Sequence, residues 1–299
     1  MGGWARHDKL GWVLGFAGIT AFAGSLPATR IAVYELDPWF VTCIRATIAG
    51  FIAAITLSVM RRAWPPREAW LPLIGVALCV ILGFPLLTGI AMTTLPASHG
   101  AVIIGVLPLA TAVAATLLAH ERPSGLFWIA SVAGAGIVIF FSLRHSGLGG
   151  IEAGDVWVFA AVISAAIGYT LSGKLARTMP GWEVISWACL IALPVFAAAT
   201  AALWPTNIGS LSAQTWTAIL YVGLVSQFLG FFAWNAGLAM GGIARVGQIQ
   251  LLQPFITFVI AAFINQEQIG VETIAFAAAV VATVLIGLRT RTAPPAAAN

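Results

Sequence analysis

The segment Gly105–Glu121, GVLPLATAVAATLLAHE, has a counterpart in Gln250–Glu267, QLLQPFITFVIAAFINQE. Each copy carries a proline near its start and a glutamate at its end, and both landmarks recur at a spacing of 146 residues: Pro108 and Pro254, Glu121 and Glu267. A shared Ala-Met dipeptide also precedes each copy, as Ala91-Met92 and Ala239-Met240. The chain is therefore predicted to consist of two related halves.

The composition of the chain indicates a membrane protein. Of its 299 residues, 60% are hydrophobic and 8% are charged, and the mean hydropathy is +0.98. Soluble domains average about 45–50% apolar and about 25% charged residues, so this chain has too little polar surface to cover a water-facing globule. The lipid bilayer is its expected partner. The net charge of +4 comes from basic residues scattered between apolar runs, without the dense patch that nucleic-acid binding needs, and no nucleic-acid partner is predicted.

Ten transmembrane spans are predicted, because about 20 mostly apolar residues are needed to cross the hydrocarbon core. They are residues 10–33, 38–60, 70–92, 97–119, 125–143, 155–176, 182–203, 214–238, 244–265 and 272–289. The connections are short and leave no room for a soluble domain. Residues 1–145 are assigned to the first repeat, residues 146–292 to the second, and residues 293–299 to a disordered tail.

The first span also has features of a cleavable secretory signal. Arg6 and Lys9 precede an apolar run that reaches Ala21-Phe22-Ala23, which is the order of regions in such a signal. Because cleavage there would remove a span that the repeat requires, the segment is retained as span one.

Five spans in each half are an odd number, so the second half must be inserted upside down relative to the first. Inverted-topology repeats are a recurring design of secondary transporters, which hold their substrate near the membrane midplane between the repeats. The predicted fold class is an all-α membrane protein with ten transmembrane helices in two inverted five-helix repeats. The predicted function is the carriage of a small-molecule substrate by alternating access.

The distribution of Lys and Arg predicts the orientation, because these residues are enriched in cytoplasmic loops. With a cytoplasmic N-terminus, eleven basic residues fall on the inner side: Arg6, Lys9, Arg61, Arg62, Arg67, Arg122, Lys174, Arg177, Arg245, Arg289 and Arg291. Only three fall on the outer side: Arg30, Arg45 and Arg144. Both termini are therefore predicted to be cytoplasmic, in a bacterial-type inner membrane.

Several of these motifs resemble the EamA family of the drug/metabolite transporter superfamily. In the first half they are Pro38 to Arg45, Leu107-Pro108-Leu109 through His120-Glu121-Arg122, and the glycine-rich Val132 to Gly136. In the second half they are Gln253-Pro254 and Glu267, while spans six and seven match more loosely, with Trp187 near the place of Arg45. The resemblance implies ten helices, cytoplasmic termini and export of amino acids or other metabolites. The YddG-like aromatic amino-acid exporters are the subgroup that it suggests.

Polar residues within the spans are the candidates for substrate binding, because polar groups that face lipid are costly. On span eight, Gln227, Phe231, Trp234 and Leu238 share a helical face, with Asn235 beside it. On span nine, Val246, Gln250, Gln253 and Thr257 do the same. Amides facing aromatic rings suit an amino acid or a similar zwitterion. The alternative is interhelical hydrogen bonding without a ligand.

Other candidates lie on the remaining spans. His99 and Arg245 occupy equivalent places at the starts of spans four and nine, where each could bind a substrate carboxylate. The alternative is that His99 is a loop residue and Arg245 a membrane anchor on the cytoplasmic side. Ser25 and Thr29 flank Pro27 on span one. The matching region of span six has Tyr169 with Ser164 and Ser172, and Thr88 on span three is equally ambiguous.

Three charged residues are expected to have structural roles. Arg45 is expected to snorkel to the outer surface and pair with Glu35 or Asp37. Glu121 and Glu267 end their helices, where the helix dipole disfavours a negative charge, so each should meet a cation or a helix N-terminus.

Small residues four apart, Ala130/Gly134 and Ala275/Ala279, make spans five and ten candidates for scaffold or dimer contacts, and a monomer or weak homodimer is expected.

Several other functions lack the residues that they need. No nucleophile, base or metal-ligand cluster is found among the four His and three Cys, and no phosphate loop is present, so no catalytic residue, metal or cofactor is predicted. No Asp or Glu lies mid-span, so proton coupling would need His99 or a Glu at a helix end, and facilitated export is favoured. Drug or toxic-cation efflux remains the alternative within transport, and a channel or an intramembrane enzyme remains the alternative of another class.

Overall fold

A computed structural model describes residues 2–121, 123–145 and 153–265, together with positions 271, 275–276, 278–279, 282–283 and 286. Every regular element in these ranges is helical, in agreement with the predicted all-α class. Most of predicted span ten, Glu267, the boundary between the repeats at 145/146 and the 293–299 tail lie outside the described residues.

Predicted spans one to nine each coincide with a helix, numbered here α1 to α9. In the first half these are α1 (Gly2–Ala23 and Ser25–Glu35), α2 (Pro38–Val59), α3 (Arg67–Val76, Ala77–Gly83 and Phe84–Met92), α4 (Ala97–Ile104 and Leu107–Ala119) and α5 (Gly125–His145). In the second half they are α6 (Ala153–Leu175), α7 (Gly181–Ala202), α8 (Ala213–Leu220, Tyr221–Leu229 and Gly230–Gly241) and α9 (Ile243–Gly247, Gln248–Leu252 and Gln253–Asn265). Seven of these helices, among the described residues, are long and apolar enough to cross a membrane without interruption, while α4 and α5 contain shorter apolar helices, Leu107–Ala119 and Gly125–Ile137.

The packing of the helices follows the symmetry of an inverted repeat. α1 packs along the last part of α8, and the equivalent pair, α6 and α3, packs in the same manner. α2 packs on α7 and α4 packs on α9, so each of these helices meets its own counterpart across the repeat interface. This exchange of partners is what a pseudo-twofold axis between the halves requires.

Glycines allow the close approach of α1 and α8. A Cβ atom at Gly11 would lie 2.9 Å from the backbone nitrogen of Gly241, and one at Gly237 would lie 2.8 Å from the carbonyl oxygen of Gly11. Backbone atoms cannot move aside as flexible side chains can, so no other residue fits at Gly11 and Gly237. Small residues are a general means of helix association in lipid.

Four of the helices are irregular near their middles, at places that correspond between the halves. α3 and α8 each contain a π-helical segment, Ala77–Gly83 and Tyr221–Leu229. α4 is interrupted before Pro108, and α9 has a 3₁₀ turn, Gln248–Leu252, before Pro254. Single π-helical turns are frequent at functional sites, and interrupted helices line the substrate sites of many transporters.

One end of the bundle is held by the glutamate that ends α4. Glu121 accepts hydrogen bonds from the backbone N–H groups of Ile243 (3.0 Å) and Ala244 (2.8 Å) at the start of α9, and it forms an ion pair with Arg177. Both forms of compensation expected for Glu121 are therefore present. His120, in the left-handed conformation at φ 52°, ends α4 and directs the chain towards this contact.

At the opposite end, polar contacts join other elements of the two halves. Glu35 at the end of α1 accepts hydrogen bonds from the hydroxyls of Ser212 (2.7 Å) and Thr215 (2.8 Å). His99 and Asp155, at the starts of α4 and α6, are in contact at 2.8 Å. Glu121 and Arg177 therefore lie at one end of the molecule and Glu35 and His99 at the other, as the predicted alternation of the spans requires.

Candidate functional site

A small cavity lies in the middle of the bundle, where α1, α2, α3, α6, α8 and α9 meet. Its volume is about 10 Å³, which is room for about one water molecule. Both repeats contribute to its walls, which are formed by Phe22, Ser25, Leu26, Arg45, Val80, Phe84, Tyr169, Ser226, Gln227, Phe231 and Gln253. The arrangement is closed, because no organic solute fits into this volume.

Three of the lining residues are aromatic, Phe22, Tyr169 and Phe231. Together with Trp234, which packs against them but does not line the cavity, they form a cluster of rings, hereafter the aromatic wall. The ring centroids of Phe22 and Phe231 are 4.8 Å apart, and those of Tyr169 and Trp234 are 5.4 Å apart in an edge-to-face arrangement. Tyr169 also meets Phe231 edge to face at 5.8 Å. Such tilted contacts are the favoured geometry of aromatic pairs, and they create an apolar surface from three helices.

The cavity lining also contains polar groups. The Nε2 group of Gln227 donates to the carbonyl oxygen of Val80 at 3.3 Å, and the hydroxyl of Ser226 donates to that of Ser25 at 3.0 Å. The Oε1 atom of Gln253 is buried without a hydrogen-bond partner. Buried polar atoms in proteins are nearly always paired, so an unpaired amide oxygen beside a cavity is a candidate contact for a ligand.

Arg45 also lines the cavity. This position contradicts the role at the outer surface that was expected for it. Its side chain is buried, at 2% exposure, and its guanidinium donates to the hydroxyl of Ser226 at 3.5 Å. The two carboxylates proposed as its partners have other roles: Glu35 binds α8, and Asp37 accepts a hydrogen bond from the N–H of Trp39 at 2.8 Å as the N-cap of α2. Arg45 therefore points into the bundle, towards the cavity.

Five of the predicted site residues come together here. Ser25, Tyr169, Gln227 and Gln253 line the cavity, and Trp234 packs against Tyr169 within the aromatic wall. Trp234 is completely buried, and its indole N–H lacks a partner. The predicted amide-plus-aromatic combination of α8 and α9 thus exists in the structure, although whether these residues bind substrate stays a prediction.

The other five predicted residues lie away from the cavity. Thr88 donates to the carbonyl oxygen of Phe84 in its own helix at 2.7 Å. Asn235 donates to the carbonyl oxygen of Gly181 at 3.1 Å, and the side-chain oxygen of Gln250 accepts from Thr111 at 3.4 Å. Asn235 and Gln250 therefore form the interhelical hydrogen bonds that were the alternative to ligand binding.

His99 and Thr29 complete this set. His99 contacts Asp155 at the end of the bundle rather than standing in a loop or at the cavity. Thr29 is buried on α1, and its hydroxyl has no partner, but it does not line the cavity. Arg245, the predicted equivalent of His99, lies over the ring of Trp12 at 5.8 Å from the centroid.

Six cavity residues were missed as candidates from the sequence: Phe22, Leu26, Arg45, Val80, Phe84 and Ser226. Phe22 was considered only within a signal-like run, and Arg45 was expected to snorkel. Ser226 could not be chosen by helical periodicity, because it precedes Gln227 and adjacent residues of an α-helix point in different directions. Both residues lie in the π-helical segment Tyr221–Leu229, and both line the cavity.

Comparison with known proteins relates the chain to transporters over nearly its full length. The EamA-like transporter family model matches twice, over residues 9–143 and 152–289. The transporter YdeK of Bacillus subtilis is 41% identical over 279 residues, which are 93% of this chain and 97% of that protein.

More distant relatives carry more specific names. The aromatic amino acid exporter YddG of Ancylobacter novellus is 24% identical over 82% of this chain and 85% of its own. A probable terminal-alkyne amino-acid exporter of Streptantibioticus cattleyicolor is 26% identical over 86% of this chain and 85% of its own.

A solved crystal structure has the same fold. It superposes with a TM-score of 0.74 at 17% identity and covers 93% of this chain and 98% of that chain. The repeated match, the apolar helices and the inverted packing agree with one another. This multi-span membrane protein belongs to the EamA-like transporter family.

Proposed function

We propose that the protein exports small amphipathic metabolites, foremost amino acids with aromatic or other apolar side chains, by alternating access at the cavity between the repeats. The observation that carries this proposal is that aromatic rings, amide groups and hydroxyl groups line one buried cavity. Ligand sites typically combine apolar surface with a few placed polar groups.

The aromatic and the amide groups of the cavity lining match the apolar and the charged parts of such a solute. The rings of Phe22, Tyr169 and Phe231 offer apolar surface to a side chain. The amides of Gln227 and Gln253 can both donate and accept hydrogen bonds, as the ammonium and carboxylate groups of an amino acid require. The names of the YddG and terminal-alkyne amino-acid exporters support the same class of substrate.

Alternating access requires that the closed cavity open on each side in turn. An amino acid such as phenylalanine is far larger than the present volume of about 10 Å³, so helices must move before it can enter. The π-helical segments of α3 and α8 border the cavity, and the 3₁₀ turn of α9 ends at Leu252, next to the cavity residue Gln253. Such departures from the α-helix make these places suitable hinges.

In this proposal the protein lies in the inner membrane, and both of its termini are cytoplasmic. It is supported by the eleven basic residues on one side of the predicted topology against three on the other. Export then means loading at the end that holds Glu121 and Arg177, and release at the end that holds Glu35 and His99.

The decisive experiment is counterflow in liposomes that contain the purified protein. Liposomes preloaded with unlabelled phenylalanine, tryptophan, leucine, glutamate or an amphipathic cation would be exposed to the labelled form of the same compound. Saturable accumulation that depends on the internal apolar amino acid is expected. Linear, non-saturating flux would indicate a channel, and counterflow of the cation alone would favour drug efflux, so either result would overturn the proposal.

A further inference from the structure

Arg45 is a buried cation for which the described part of the chain supplies no anion. It lies in the first half of α2, and its only hydrogen bond goes to the hydroxyl of Ser226 at 3.5 Å. Its Nε atom is buried and has no partner. The ion pairs within the described ranges join other residues.

An unpaired guanidinium in the centre of a membrane protein is unfavourable, because the charge loses its hydration without gaining a counter-ion. Charged residues in such positions generally face a cavity and mark a substrate pathway. Arg45 lines the cavity described above, so an anionic group of a solute in that cavity would be its natural counter-ion.

The groups around Arg45 are suited to a carboxylate. The planar guanidinium presents paired N–H groups that match the two oxygens of a carboxylate. The hydroxyls of Ser226 and Ser25 are hydrogen bonded to each other at 3.0 Å, and both can turn to donate to an oxygen anion. The rings of the aromatic wall that line the same cavity would contact the apolar part of the same molecule.

We infer that Arg45, with Ser226 and Ser25, forms the carboxylate-binding position of the transported solute, so that the protein selects apolar monocarboxylates and rejects amines that lack the carboxylate. This inference rests on the proposed transport function and narrows it, because the α-ammonium group becomes dispensable for binding. The second repeat has Trp187 near the corresponding place in α7 and so supplies no second arginine there.

The test uses two analogues that each retain one half of phenylalanine. Unlabelled 3-phenylpropanoate, which has only the carboxylate, and phenethylamine, which has only the amine, would compete with labelled phenylalanine in counterflow. The acid is expected to compete and the amine is not. In Arg45→Gln the KM for phenylalanine should rise about 10- to 100-fold, the value of a lost hydrogen bond to a charged group, and the preference for the acid should vanish.

Two comparisons make the result specific. Arg45→Lys keeps the charge but loses the planar geometry, so its KM should lie between those of wild type and Arg45→Gln. Arg67→Gln removes an exposed charge at the start of α3 and should transport as wild type does. Equal competition by acid and amine, or an unchanged preference in Arg45→Gln, would overturn the inference.

A binding measurement separates this inference from the proposed function. The melting temperature of the detergent-solubilised protein would be measured with each analogue. If phenylalanine is not transported but 3-phenylpropanoate stabilises wild type and not Arg45→Gln, the proposed function fails and the carboxylate position stands. If neither analogue stabilises wild type, or both do so equally, the carboxylate position fails.

Discussion

The side chain of Gln227 donates a hydrogen bond from Nε2 to the carbonyl oxygen of Val80 at 3.3 Å and so joins the π-helical segments of the two repeats. The reason lies in α3. The N–H of Phe84 bonds to the carbonyl of Cys79 in the π-helical register, so the next carbonyl, that of Val80, would need a donor at position 85. That residue is Pro85, which has no N–H.

Replacing Gln227 with leucine should therefore destabilise the protein. Gln227→Leu keeps the size of the side chain but leaves the buried carbonyl of Val80 without a donor, at a cost of about 1–3 kcal/mol. The free energy of unfolding in mixed micelles should fall by this amount. Gln214→Leu, on an exposed position of the same helix, is the control and should have little effect. Equal stability of the two variants would show that Val80 finds another donor.

A second proline in the first repeat creates the same need at α1. Pro27 cannot donate to the carbonyl of Ala23, and the hydroxyl of Thr257 in α9 donates to it instead at 2.7 Å. Thr257→Val should therefore cost about 1–2 kcal/mol of unfolding free energy, in the range known for side-chain hydrogen bonds within membranes.

The backbone itself offers a rescue of this variant. Pro27→Ala restores an N–H group four residues after Ala23, so adding it to Thr257→Val should recover most of the lost stability. The control is Thr170→Val, because the hydroxyl of Thr170 bonds only within its own helix. Additive losses in the double variant would contradict the assignment, since independent sites add and coupled sites do not.

The contacts of Glu121 allow two contributions to the stability of this end of the bundle to be separated. Glu121 satisfies two backbone N–H groups of α9 and also pairs with Arg177, whose side chain is 31% exposed. Glu121→Ala should cost about 2–4 kcal/mol, because hydrogen bonds to a charged group are among the stronger ones. Arg177→Gln should cost about 0–1 kcal/mol, as is usual for a partly exposed ion pair.

Thermal and denaturant unfolding of these variants would check that ranking. Glu68→Ala, on an exposed residue in the first turn of α3, is the matched control and should behave as wild type. A larger loss in Arg177→Gln than in Glu121→Ala would mean that the ion pair, and not the capping of α9, stabilises this end of the bundle.

The sequence was sufficient for the helices, their number within the described ranges and the relation between the halves. Apolar length identifies a span directly. The relation between the halves is visible because Pro108 and Glu121 recur as Pro254 and Glu267 at the same separation. The need of Glu121 for a compensating partner was also predictable, because it follows from the dipole of a single helix.

The site was only partly predictable, because it depends on departures from the α-helix. A period of 3.6 residues selects Gln227 and not its neighbour Ser226, whereas both line the cavity from the π-helical segment of α8. Arg45 was assigned to the surface from its distance along α2, whereas the neighbouring helices determine its burial. The same limit applies to Asn235, whose partner Gly181 is remote in the sequence.

Gln253 should affect transport and leave stability unchanged. It lines the cavity, and its Oε1 atom has no partner, so Gln253→Leu removes no hydrogen bond from that oxygen in the closed arrangement. Loss of one hydrogen bond to the substrate should raise the KM of counterflow about 2- to 10-fold. Thr88→Val, which alters a buried residue outside the cavity, is the control for transport. An unchanged KM in Gln253→Leu would remove this residue from the site.

The orientation of the protein can be tested by labelling single cysteines in intact cells. The native cysteines Cys43, Cys79 and Cys189 lie within helices and would first be replaced by alanine. A membrane-impermeant maleimide should then label Ser210→Cys, in the exposed connection before α8, and should spare Arg61→Cys at the end of α2. Both should react after permeabilisation. Labelling of Arg61→Cys in intact cells would reverse the orientation, and with it the direction of export, because Lys and Arg would then lie outside.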